Sequence, residues 1–213
     1  MHHKTLSFIS IWAYLFLISI SYGHAASVRH VTMDEMLLQC HFVFEGKVLA
    51  LEAKESSPKR IHTYVIFEIQ DIIKGEYSSD TITLSFLGGT VGDVTMAVSD
   101  IKVPQVGEHG IYFVESLERS QVNPLYGWSQ GHFLVQSDDT GIDRVMTSNE
   151  QPVTEVVKDM SVEQMNSSQE TAPLLSKGVA RGVTFALKGN DNKGLTTEEF
   201  KKILREKMEE ANE

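Results

Sequence analysis

The segment HFVFEGKVLALEA (His41–Ala53), followed after KESSPKR (Lys54–Arg60) by IHTYVIFEIQDIIKG (Ile61–Gly75), decides the fold. Phe42, Phe44, Gly46, Val48 and Ala50 alternate with Val43, Glu45, Lys47 and Leu49, the period of a strand with one face inward. Gly46 inside that run predicts a bulge or a sharp coil rather than flat pleating. Thr63, Val65, Phe67 and Ile69 resume the alternation, so the two runs form a wide, twisted hairpin whose tip carries Pro58. TITLSF (Thr81–Phe86) adds a third strand with Ile82, Leu84 and Phe86 inward.

Upstream, Thr32 caps a two-turn helix from Met33 to about Gln39, with Glu35 at the capping-box position and Met36 and Cys40 facing a core. Downstream, Gly88 and Gly89 allow a tight turn or a close approach by another segment. They do not make a phosphate loop, because no Gly-Lys-Ser/Thr ending or following helix accompanies them. DVTMAVSD suits a short strand, Ile111 and Phe113 centre a clearer one, and GHFLVQSDDTGIDRVM gives two more about an Asp-Asp-Thr-Gly turn. Six or seven strands before residue 150 suffice to close a small barrel.

The predicted organisation is an export signal over 1–25, a β domain over 26–150, an extended or partly ordered linker over 151–190, and a helix over 191–213. Lys4, the apolar run Leu6–Ile20 and the small residues Gly23 and Ala25 fit a signal peptide cleaved before Ala26, which places the product in the periplasm or outside the cell. The run is too short for a stable membrane span, which needs roughly 20 apolar residues. Loss of Lys4 leaves 18 basic against 29 acidic side chains, a net charge of -11, which disfavours nucleic acid. The one cysteine, Cys40, has no partner within the chain and reads as a small buried hydrophobe.

In the last segment Thr196 and Glu199 form a capping box, and Phe200, Ile203, Leu204 and Met208 make an apolar stripe. The preceding GNDNKG is not a calcium loop, since its first and twelfth positions would be Gly189 and Phe200. His30, His41, His62, His109 and His132 show no metal-ligand spacing, and no Gly-x-Ser-x-Gly elbow occurs. Cys40 and His41 point to opposite sides of an extended segment and cannot act as nucleophile and base. Glu45, Glu68 and Asp71 could meet across the hairpin, but 29 acidic residues produce such pairs by chance. No catalytic set, metal site or cofactor motif is legible.

The expected function is therefore non-catalytic binding of a protein, peptide or glycan. Tyr126 and Trp128, in the loop LERSQVNPLYGWSQ, and Tyr64, on the hairpin's outward side, are the candidate contact residues. Trp128 can equally fold back to plug one end of the barrel, and the terminal helix can cover the outward hairpin residues Leu49, Tyr64 and Ile66. Two alternatives stay open: a structural component that associates through the C-terminal helix, and a hydrolase whose site is assembled from distant residues. Cys40, Phe44, Gly46, Phe67, Gly88, Gly89, Phe200 and Leu204 are assigned structural roles.

The order helix, cysteine, FVFEGKV, YVIFEIQDIIKG and ITLSFLGG resembles the netrin-like oligonucleotide/oligosaccharide-binding barrel of tissue inhibitors of metalloproteinases. The series Gly46–Val48, Lys74–Gly75, Gly88–Gly89, Gly107–Glu108 and Gln130–Gly131 with Phe133 is also similar to that of poorly characterised exported bacterial proteins. The resemblance covers Thr32 to Val145 and implies an OB-like barrel, with Cys40 in the core beside the first strand. It does not imply protease inhibition, because the disulfide-held amino-terminal cysteine of those inhibitors has no counterpart here.

Overall fold

The computed structural model describes residues 29–58, 60–99, 101–157, 178–186 and 193–211. The expected signal segment and the middle of the expected linker lie outside these residues. In chain order the elements are α1 (Met33–Gln39), β1 (Phe42–Ser57), β2 (Arg60–Lys74), β3 (Thr81–Leu87), β4 (Gly89–Val91), β5 (Val94–Met96), β6 (His109–Val114), a 3-10 turn (Trp128–Gly131), β7 (His132–Ser137), β8 (Asp143–Thr147), β9 (Val153–Val156), β10 (Val183–Phe185) and α2 (Thr197–Glu210).

Six strands form one antiparallel sheet in the order β3-β2-β1-β6-β7-β8. β1 is its axis: residues Phe42–Lys47 pair with β6 on one side, while the strand runs on with β2 alone to the tip at Ser57 and Arg60. β6 returns to lie beside β1, so β6-β1-β2-β3 has a Greek-key order. The expected barrel does not close, because β3 and β8 are separate edges of this sheet. β8 is instead covered by the chain's own later segments: Val145 N–H donates to Leu195 O at 3.0 Å and Thr147 N–H to Gln151 O at 2.8 Å.

The bulge expected at Gly46 is present, as a register shift between Glu45 and Gly46. A Cβ at Gly46 would stand 2.7 Å from both Glu68 O and the Phe44 ring, so only glycine lets β2 and that ring approach so closely. Gly89 has φ +135° and packs against Thr63, Ile61 and Ala53, which turns the chain from β3 into the β4-β5 ribbon over the long hairpin.

Each face of the sheet carries a buried core. On one, Phe44 lies in edge contact with Phe67 at 5.5 Å and 5.3 Å from Tyr112, within a core completed by Val48, Val65, Ile82, Leu84 and Phe86. On the other, Val43, Ile111, Phe113, Phe133 and Val145 pack beneath α1, α2 and the β9-β10 pair. Cys40 lies in this second core, and burial drives its thiol pKa upward, which makes it an inert hydrophobe. The stretch 151–190 therefore contributes more than a connection: Val153, Val156, Val179, Ala180 and Val183 are core residues.

Both helix starts obey their caps. Thr32 Oγ1 accepts from Glu35 N–H at 2.9 Å, but Glu35 does not reach back, since its carboxylate is taken by Arg29 and Tyr126. At α2 the capping box is complete between Thr196 and Glu199. Phe200 and Leu204 are fully buried, with Ile203 and Met208 packed beside them, so the stripe of α2 is occupied by the chain's own core. α2 reaches the base of β2 through Arg205 and Asp71, 2.9 Å apart. The β4-β5 ribbon packs on the long hairpin near Ala53, Ile61 and Thr63, and Leu49 remains exposed.

Candidate functional site

The residues singled out in the sequence fall in two places. Tyr126 is half-buried at the start of α1, where its hydroxyl donates to Glu35 Oε1 at 2.8 Å. Burial, then the hydrogen bond to that carboxylate, raises its pKa. Trp128 opens the 3-10 turn with φ +60°, and two residues on Gln130 turns inward. Gln130 Oε1 accepts from Val31 N–H at 3.0 Å, and its Nε2 donates to Arg29 O and Gly127 O. The loop thus clamps the strand of chain that enters α1. Tyr64 lies elsewhere, on β2, with Lys54 Nζ 5.6 Å from its ring centroid.

Tyr64 does border a groove, of about 330 Å³, between the edge strand β3 and the irregular segment Ser116–Gln121. One wall is Ile82–Ser85; Tyr77 and Leu117 contribute apolar surface, and Pro124 closes part of the far side. Eight large hydrophobics stand exposed among the described residues, and three gather here: Tyr77 (37%) and Leu117 (41%) in the groove and Val122 (45%) at its end. Gln121 Oε1, also in the lining, is buried and accepts no hydrogen bond.

Two carboxylate-histidine pairs flank the start of β6. On the helix-covered side, Glu45 Oε1 meets His109 Nε2 at 2.9 Å, and Glu45 Oε2 accepts from Lys201 Nζ at 2.7 Å. Lys201 also pairs with Asp71 at 3.0 Å and Glu198 at 2.6 Å, so this buried ammonium fastens α2 to β1 and β2. Burial pushes the Glu45 pKa up, but His109 and Lys201 outweigh it and leave the group below its ordinary value. On the other face Glu108 Oε1 meets His132 Nε2 at 2.7 Å and accepts from the Tyr112 hydroxyl at 3.1 Å. There too burial raises, and His132 together with Gln105 N–H and the Tyr112 hydroxyl more than offsets it, with a net lowering.

Neither pair lines the β3 groove or the cleft of about 420 Å³ between α1 and α2, whose walls include Leu37, Leu38 and Met208. Among the described residues no group of three or more His, Cys, Asp or Glu is placed to hold a metal ion. No helix among them is long and apolar enough to cross a membrane. Comparison of the chain with family models, with curated proteins and with solved structures found no match.

Thr83, Ser85, Tyr77, Leu117 and Gln121 were not among the sequence candidates. The only local signals were Leu117 and Val122, apolar residues in an otherwise polar loop. What makes them a site is the edge position of β3, which depends on a strand order no single segment encodes.

Proposed function

We propose that the chain is a non-catalytic binding protein, exported to the periplasm or beyond, that takes a protein, peptide or glycan partner in the groove beside β3. The supporting observation is the convergence there of Tyr64, Tyr77 and Leu117 with β3, the edge of the main sheet that the described residues leave largely unpaired. Aromatic and apolar groups set among polar ones, with Gln121 Oε1 unsatisfied, suit recognition of a ligand that is part apolar and part hydrogen-bonding. The alternative of association through α2 is weakened by the burial of Phe200 and Leu204 in the same chain. The proposed fold kinship is an opened version of the netrin-like OB domain, for which the Greek-key order and the long bulged β1 speak.

The test is retention of immobilised peptides and glycans by the chain Ala26–Glu213 and by its Leu117→Glu variant, which charges the groove at an exposed position. Ligands retained by the first and lost by the second support the proposal. Equal retention by both would move the binding surface away from β3, and retention of no ligand would overturn the proposal.

A further inference from the structure

The two edges of the main sheet are treated differently. β8 is capped along its length by Gln151, Pro152, Leu195 and Thr196. Among the described residues β3 is capped at one end only, where Leu87 N–H donates to Val122 O at 2.9 Å. That bond fixes which residues of β3 face outward. The register to β2 is unbroken from Thr81 to Leu87, and Gly88 N–H donates inward to Ile61 O at 2.8 Å. Backbone groups alternate sides along a strand, so Phe86, Leu84 and Ile82 bond to β2, while Leu87, Ser85 and Thr83 point their N–H and C=O groups away from it. Leu87 is satisfied by Val122; Ser85 and Thr83 open into the groove, because the chain from Gln121 back to Ser116 diverges from the strand.

Resting on the binding function proposed above, we propose that the ligand is an extended polypeptide segment that adds to β3 as a further strand, exchanging backbone hydrogen bonds with Thr83 and Ser85. A polypeptide fits where a glycan does not, because the unfilled groups are donors and acceptors at strand spacing, the pattern another strand supplies. A single strand fits where a whole sheet edge does not, because Ser116–Gln121 walls the groove on its outer side. Successive side chains of the added strand point to opposite faces. One set reaches the face that carries Tyr64 and the other the face where Tyr77 packs on Phe42 at 5.6 Å. Apolar or aromatic side chains are selected beside Tyr64 and Tyr77, while Glu118 and Arg119 lie in the opposite wall.

The deciding variant is Thr83→Pro. Its lost N–H is one that β2 does not use, so the ladder stays intact, as is usual for proline on the open side of an edge strand. A random twelve-residue peptide library displayed on phage is selected against the chain Ala26–Glu213, and the recovered peptides are synthesised. The expected result is at least a tenfold weaker Kd for Thr83→Pro, together with slowed amide hydrogen exchange at Thr83 and Ser85 in the wild-type complex. Leu117→Glu, which leaves β3 unaltered, is expected to weaken the same peptides and serves if Thr83→Pro fails to fold. Peptides that bind both variants as tightly as the wild type and protect no β3 amide would overturn strand addition while leaving a binding protein. Recovery of no peptide would overturn it also, and glycan retention would then decide the broader function. A dimer in sedimentation that Thr83→Pro dissociates would assign the edge to a second copy and overturn the peptide assignment.

Discussion

Lys201 illustrates how one residue can bind distant parts of the chain and still escape a sequence reading. Its ammonium is buried against Glu45, Asp71 and Glu198. Removing one partner of a buried ion pair leaves uncompensated charge and costs about 3 to 5 kcal/mol. Lys201→Met is expected to lose that amount in urea unfolding, and adding Glu45→Gln to recover part of it. Phe44 and Phe67 were legible from period-2 alternation alone, and both are fully buried in one aromatic cluster. Replacing either by Ala should cost about 3 to 5 kcal/mol, and a loss below about 1 kcal/mol would contradict their packing. The Glu45–Lys201 contact was not legible, since Glu45 reads locally as an ordinary outward residue of a strand.

At the scale of elements, legibility followed how local the forces are. α2 is written in adjacent residues, the Thr196–Glu199 box and an apolar stripe, and the helix begins where they place it. Thr196→Ala should destabilise the protein by about 1 kcal/mol in thermal or urea unfolding, because an orphan N–H of the first turn loses its acceptor. β9 and β10 are three or four residues each, and Val183 pairs with Val156 across a long polar stretch, so neither had a pattern strong enough to stand out. The loop at Tyr126–Gln130 stands out by composition, and its bonds run to Arg29, Val31 and Glu35. Its composition carried no sign of whether those groups would face a partner or the chain itself.

For the whole molecule, closure was the property the sequence could not reveal. Alternating strands are compatible with a barrel or an open sheet, and the outcome turned on β8 being covered by Leu195 and Thr196 while β3 pairs, among the described residues, only at its Leu87 end. Charge acts at the same scale. Glu45, Asp71 and Glu108 all titrate below their ordinary values of 4.5, 3.8 and 4.5: burial opposes this in each, and Lys201 with His109, Lys201 with Arg205, and His132 with Gln105 N–H and the Tyr112 hydroxyl respectively overcome it. A carboxylate depressed in the folded state adds stability above its unfolded pKa, and that stability is lost as pH falls through the folded value. The urea midpoint should therefore hold steady down to about pH 5 and decline progressively below about pH 4.5. A midpoint unchanged between pH 5 and pH 3 would contradict these pairings.

The Glu45–Lys201 link spans 156 residues and, among the described elements, joins the first strand to the last helix. Synthesis proceeds from the amino end, so β1 emerges with its carboxylate and one apolar flank long before their cover exists. A nascent chain halted before Thr196 carries neither the cation nor Phe200, and its sheet face stays wet. The cover of β1 is therefore completed only when Phe200 and Lys201 have been made.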